Sequence, residues 1–314
     1  MHKVMRGARK VVRDCARVKQ GEKTLIVTDT NIDPLVSISL LEASRELKSE
    51  ALVATIYGGR PAREDPPDRV VDMMLKSDVV ICPTSATMFY TDAKYRACRR
   101  GVRLVSMTGA TLDVLASGAI EADFMKRKPL VEQLAKTLSD AKEISIHSPA
   151  GTSVTASLRR RKAIANTGVC ESRGDSTGVP DIEVYIAPVE DSVEGVAVID
   201  GSISGVGLAH TPVRLEIVKG IVRRISGGAE AAKLRTMLAN QDNRRAYQIA
   251  EIGIGLNPKA KLRGAIIEDE SALGTAHFAL GDNSGFGGEN YAPSHIDMVF
   301  KKPTIRLDGE QLEY

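Results

Sequence analysis

Tryptophan is absent from this 314-residue chain, and aromatic residues make up only 4% of it. An aromatic-cage site is therefore not expected; Phe89, Tyr90, Phe286 and Tyr291 are the rings available to line a mouth. Cysteine is scarce and scattered: Cys15, Cys82, Cys98 and Cys170 form no pair at zinc or redox spacing, so they read as small buried hydrophobes in a reducing compartment. No run of about 18 apolar residues occurs, which excludes a membrane-spanning helix. The basic stretch of residues 1–14 lacks an apolar core, so no signal peptide is expected and the reading is a cytoplasmic protein. There is no G-x-G-x-x-G and no Walker sequence, so a nucleotide site is not expected. The net charge is only +3 and basic residues alternate with acids, so neither nucleic acid nor membrane is an expected partner. The longest basic run, Arg159-Arg160-Arg161-Lys162, reads as a solvated loop or edge, with contact to a partner or an anionic ligand as the alternative.

What is present is an ordinary globular composition, 43% hydrophobic and 26% charged, long enough for two domains with real cores. In the first half, β-branched apolar runs at residues 23–28, 51–56, 78–83 and 102–106 alternate with helical spacing after Asp33-Pro34 and over 70–76 and 90–100. Strands alternating with helices predict a parallel α/β sheet, whose ligands bind beyond the carboxyl ends of the strands. The loops there, at residues 28–30, 83–85 and 107–111, are polar but match no phosphate-binding pattern. A helix over 129–141 closes this half. From residue 143 short strands dominate, at 143–147, 153–157, 184–187, 195–200, 213–217 and 221–225, with a hairpin turn at Lys219-Gly220 and one helix over 229–238. The expected organisation is an α/β domain over 1–142 and a β-rich α+β metal-binding domain over 143–314.

The second half also carries five side chains able to ligate a metal: Glu183, Glu251, His277, His295 and Asp297. Imidazole plus carboxylate without thiolate is the ligand chemistry of hydrolytic zinc, cobalt or manganese, or of non-haem iron. His295 and Asp297 are two apart in a strand-like run and so face one side; the bland alternative is a satisfied buried histidine beside a Gly-built turn. Glu251 lies in an apolar, Gly-spaced strand, where a carboxylate is costly unless paired, metal-bound or on a wet edge. Glu183 heads another apolar run and reads equally as a ligand or an exposed strand start. Glu268-Asp269-Glu270 reads as a solvated turn, with a base or a ligand-supporting role as the alternative.

In order, Pro180-Asp181-Ile182-Glu183-Val184, Glu251-Ile252-Gly253-Ile254-Gly255-Leu256-Asn257-Pro258, the acidic cluster with Gly274-Thr275-Ala276-His277-Phe278-Ala279-Leu280-Gly281, then Gly287-Gly288-Glu289-Asn290 and His295-Ile296-Asp297 resemble the thermophilic metallo-aminopeptidase family, aminopeptidases T and S. That grouping includes the 2,5-dihydroxypyridine dioxygenases as distant relatives. The resemblance is best over residues 178–300. It implies two divalent metals (Zn, Co or Mn) on Glu183, Glu251, His277, His295 and Asp297, and a metal-activated water that hydrolyses a peptide or small amide. Glu251 would bridge the metals or act as base. The family's catalytic Tyr, seven residues after the motif His, is Ser284 here, and Tyr291 is the nearby substitute. The dioxygenase relatives imply instead one Fe(II) on His277, His295 and Asp297; a His often found in their α/β half is Tyr90, before Thr91. A third reading is a binding protein that kept the fold without catalysis. Relatives also imply a homo-oligomer, a dimer or larger. The leading expectation is the hydrolase.

Overall fold

Burial on both faces explains why the first-half strands are continuous apolar runs rather than alternating ones. The structure is a computed structural model that describes residues 1–61 and 64–314. After α1 (His2–Lys10), the strands β1 (Lys23–Asp29), β2 (Glu50–Ile56), β3 (Val79–Cys82) and β4 (Arg103–Ser106) pair in parallel, connected through α2 (Pro34–Glu46), α3 (Asp68–Leu75) and α4 (Asp92–Arg99). Asp33 caps α2 by accepting from the Leu35 amide, with Pro34 opening the first turn. On one sheet face Leu25, Val27, Val80, Cys82 and Leu104 pack against Val70, Met74, Ala93 and Ala97 of α3 and α4.

The chain continues through α5 (Leu112–Ala116), α6 (Phe124–Asp140), β5 (Glu143–His147), β6 (Ser153–Ser157), β7 (Ile164–Asn166) and β8 (Ser176–Gly178). α6 starts five residues earlier than the expected 129–141 helix, because the Asp123 carboxylate accepts from the Lys126 amide at 3.0 Å and Pro129 lies inside the helix. β8 returns to the first sheet, whose order is β2-β1-β3-β4-β8. The order reverses between β1 and β3, the place where such sheets bind ligands. Here the polar loops satisfy each other: the Asp29 carboxylate accepts from the Ser85 amide at 2.6 Å and hydroxyl at 2.8 Å.

Two compact units result, Met1–Lys128 with Asn166–Ile182 and Pro129–Ala165 with Glu183–Tyr314. The second adds β9 (Glu183–Ile186), β10 (Glu194–Ile199), β11 (Ser202–Ile203), β12 (Gly207–Leu208), β13 (Val213–Val218), β14 (Ile221–Ser226), α7 (Ala229–Ala239), β15 (Ile249–Gly255), α8 (Ile266–Asp269), β16 (Thr275–Gly281), β17 (His295–Lys301), β18 (Thr304–Leu307) and β19 (Glu310–Gln311). One antiparallel sheet runs β14-β13-β10-β6-β5-β18-β19, and the other runs β12-β11-β17-β16-β15-β9-β7. The β13–β14 turn has φ of 49° at Lys219 and 71° at Gly220, the left-handed pair that a tight hairpin needs. A parallel α/β sheet followed by antiparallel sheets is the class the sequence predicts. No helix among the described residues is long and apolar enough to cross a membrane.

The acidic cluster departs from its reading as a solvated turn. Glu268 and Asp269 are buried in and around α8. Glu268 accepts from the Lys261 amide at 3.0 Å, and Asp269 accepts from the amides of Arg263 and Gly264 at 2.7 and 2.8 Å. These carboxylates shape the loop after β15, because its exposed backbone donors have no strand to pair with.

Candidate metal centre

Alternation along a strand places every second residue on one face. On β15 these are Glu251, Gly253 and Gly255; on β16, His277, Ala279 and Gly281; on β17, His295, Asp297 and Val299; and on β9, Glu183 and Tyr185. The register aligns Glu251, Ala279 and Asp297 across three neighbouring strands, and Tyr185, Gly253 and His277 across another three. All five predicted ligands therefore share one face of one sheet. The other face holds Ile252, Ile254, Ala276, Phe278, Met298 and Phe300, all buried, with Phe278 and Phe300 stacked at 5.1 Å. Glycine and alanine clear the polar face. A Cβ at Gly253 would sit 2.1 Å from the His277 ring, so the glycine is the space that the imidazole occupies.

The Glu251 carboxylate reaches both imidazoles. Its Oε1 is 3.1 Å from His277 Nε2, and its Oε2 is 3.3 Å from His295 Nε2. His295 Nε2 also lies 3.1 Å from Asp297 Oδ1, and His277 Nε2 lies 3.7 Å from Glu183 Oε2. Glu251, His295 and Asp297 each offer a donor atom, all within 4.8 Å of one another. Burial disfavours charge throughout, yet opposite charges outweigh it. Burial opposes protonation of His277, but the Glu251 hydrogen bond and Glu183 raise its pKa to about 9. For His295, burial is likewise overcome, chiefly by Asp297, and the pKa rises to about 10. Burial would raise Glu251, but its hydrogen bonds to the two imidazoles hold it below the usual range, and His295 does the same for Asp297. Buried, mutually oriented imidazoles and carboxylates without thiolate are the donor set of a hard or borderline divalent ion.

Residues outside the predicted set fix His295. Its Nδ1 lies 2.7 Å from the backbone carbonyl of Asp282, and its ring meets Phe286 edge-on at 5.8 Å; Phe286 in turn meets Tyr185 at 5.4 Å. The Gly-rich run between β16 and β17 thus delivers an aromatic ring onto the histidine. Arg161, from the basic run, is not solvated. It pairs with Glu190 and donates to the Gly287 carbonyl, while Glu190 accepts from Asn283 at 3.1 Å and from the Glu289 amide at 2.6 Å. No local signal marks Asp282 or Glu190, since each acts through partners distant in sequence. Ser284 donates to the Asp282 carboxylate at 3.1 Å, and Tyr291 is 64% exposed in the same loop. In the first unit Phe89 and Tyr90 pack edge-on at 5.4 Å, and the Lys94 ammonium lies 4.4 Å from the Phe89 ring centroid.

A sheet face bearing buried and half-buried histidines and carboxylates defines the class, a candidate metal centre in an α/β protein with antiparallel sheets. The chain belongs to the 2,5-dihydroxypyridine 5,6-dioxygenase (NicX) family, whose model matches residues 3–313. It is 24% identical to the 2,5-dihydroxypyridine 5,6-dioxygenase of Pseudomonas putida KT2440 over 325 aligned positions, covering 94% of this chain and 90% of that protein. The solved 2,5-dihydroxypyridine dioxygenase from Pseudomonas putida KT2440 has the same fold, with a TM-score of 0.85, 22% identity, and coverage of 98% of this chain and 94% of that one. Wild-type AmpT from Thermus thermophilus shares the fold more distantly, with a TM-score of 0.65, 14% identity, and coverage of 99% and 97%. The family match overturns the leading expectation of a peptide or amide hydrolase. The aminopeptidase resemblance reflects shared fold, and the family that spans the chain is one of dioxygenases.

Proposed function

We propose that this protein is a ring-opening dioxygenase of a small dihydroxylated pyridine and that it uses one Fe(II). The observation that carries the reading is the convergence of Glu251, His295 and Asp297 on one sheet face, in a chain matched to the dioxygenase family from residue 3 to 313. The donor set fits such an ion, because imidazole and carboxylate are the ligands of non-haem iron. Bound iron supplies a redox-active centre at which oxygen and an electron-rich ring can react. The protein's own groups do the rest. Asp282 holds the His295 ring through Nδ1, Phe286 closes one side of it, and the Glu251 and Asp297 carboxylates supply negative charge that balances the ion.

The test is oxygen uptake by protein loaded anaerobically with Fe(II) and given 2,5-dihydroxypyridine. The expected result is one O2 consumed per ring opened, lost in Asp297→Ala. Absence of uptake with this and related dihydroxypyridines, from protein holding one iron per chain, would overturn the proposal.

A further inference from the structure

We propose that His277 is not a metal ligand but the residue that positions Glu251, so that the ligand set of this chain is Glu251, His295 and Asp297. This rests on the metal reading above and assigns the roles within it. The set contains one imidazole and two carboxylates, in place of the two imidazoles and one carboxylate that the family resemblance implies.

The two histidines differ in what holds the ring nitrogen that points away from the carboxylates. His295 Nδ1 is 2.7 Å from a backbone carbonyl, which only accepts, so Nδ1 carries the hydrogen. With Nδ1 held there, Nε2 is the nitrogen turned to the space bounded by Glu251 and Asp297. Ligand histidines are held this way, by an acceptor on the far nitrogen. His277 has no such anchor. Its Nδ1 is buried without a hydrogen-bond partner among the described residues. Its Nε2 faces acceptors, Glu251 Oε1 at 3.1 Å and Glu183 Oε2 at 3.7 Å. His277 thus lacks the acceptor on the far nitrogen that holds a ligand imidazole, and its Nε2 is engaged with Glu251.

Depth separates them as well. The His277 side chain is 1% exposed and lodged over Gly253, whereas His295 and Asp297 keep 21% and 16% of their side-chain surface open. An ion that must meet oxygen and a ring belongs on the open side. The His277 bond to Oε1 turns the other Glu251 oxygen, Oε2, toward His295. A buried carboxylate is thereby oriented by a residue behind it, the usual task of an outer partner.

Pulsed EPR of full-length protein carrying one Cu(II) per chain counts coordinated imidazoles directly, and elemental analysis after dialysis measures retained metal. Wild type should show one imidazole. His277→Gln, whose amide can still donate to Glu251, should keep that signal and one metal per chain, with affinity weakened by about 10- to 100-fold at most. His277→Ala should lose more affinity than His277→Gln, while His295→Ala and Glu251→Ala should lose the metal. Two imidazoles in wild type, one of them gone in His277→Gln, would overturn the assignment and leave the metal reading intact. A wild-type protein that retains no metal would overturn both. The wild-type spectrum decides even if a variant fails to fold.

Discussion

At Gly253 a single methyl group decides whether the cluster can form. A Cβ there would lie 2.1 Å from the His277 ring, and neither the strand nor a fully buried imidazole has room to yield. Gly253→Ala should destabilise the protein by about 1–3 kcal/mol, the range for overpacking a core. Urea unfolding with an unchanged m-value checks it; a midpoint equal to wild type would show that the ring has space to move. The metal-free cluster also makes a pH prediction. The folded pKa values of His277 and His295 are raised to about 9 and about 10, so their stabilisation is full below the unfolded value of about 6.5 and is lost as pH rises through the folded values. The lowered pKa values of Glu251 and Asp297 act oppositely, stabilising above about 4 and failing as pH falls further. Thermal melts of chelator-treated protein should therefore decline between pH 6.5 and 10, and the decline should be smaller in His295→Ala. The five candidate ligands were legible because glutamate and histidine stand out in apolar, Gly-spaced runs. Their division of labour was not, because it depends on which ring nitrogen faces the Asp282 carbonyl.

Among elements, the loop of residues 282–294 between β16 and β17 matters most for the site. It is held by Glu190, which accepts from Asn283 and the Glu289 amide and pairs with Arg161, and by Asn290, which donates to the Gly281 carbonyl. Glu190→Ala leaves three donors seeking water. Hydrogen exchange should quicken across residues 282–294 while β15 and β16 stay protected. Unchanged exchange in the loop would mean that Arg161 and Asn290 hold it without the carboxylate. The long strands were readable from β-branched runs, and the β13–β14 hairpin from Lys219-Gly220. β8, at three residues, and β19, at two, are too short to carry a period, and their places are set by pairing with β4 and β18. The start of α6 was missed because Pro129 is the louder signal, although Asp123 is the cap.

On the scale of the molecule, the four thiols and the candidate ligands lie in different units. Cys15, Cys82 and Cys170 are buried, and burial pushes their pKa values well up; Cys98 is raised less. Thiolate is the reactive form, so native protein at pH 8 should alkylate at Cys98 at most, and slowly, while unfolded protein should label at all four. Mass spectrometry counts the adducts. Two or more fast adducts in the native state would contradict the packing of the first unit. The order of motifs along the chain pointed to the candidate site but misled about the reaction, since that order follows the antiparallel sheet and the fold is common to the dioxygenase and to AmpT.

The cleared sheet face has a consequence for how such proteins change. Strands about 4.8 Å apart and residues two apart make a grid of addresses, and Glu251, Ala279 and Asp297 fill one line of it. A substitution at a donor address on this face adds or removes a ligand while the apolar residues on the reverse side stay as they are. Chemistry and architecture are thus encoded in alternate letters of the same strands. One set can drift codon by codon while the other is held fixed, and a fold can outlast the reaction it first served.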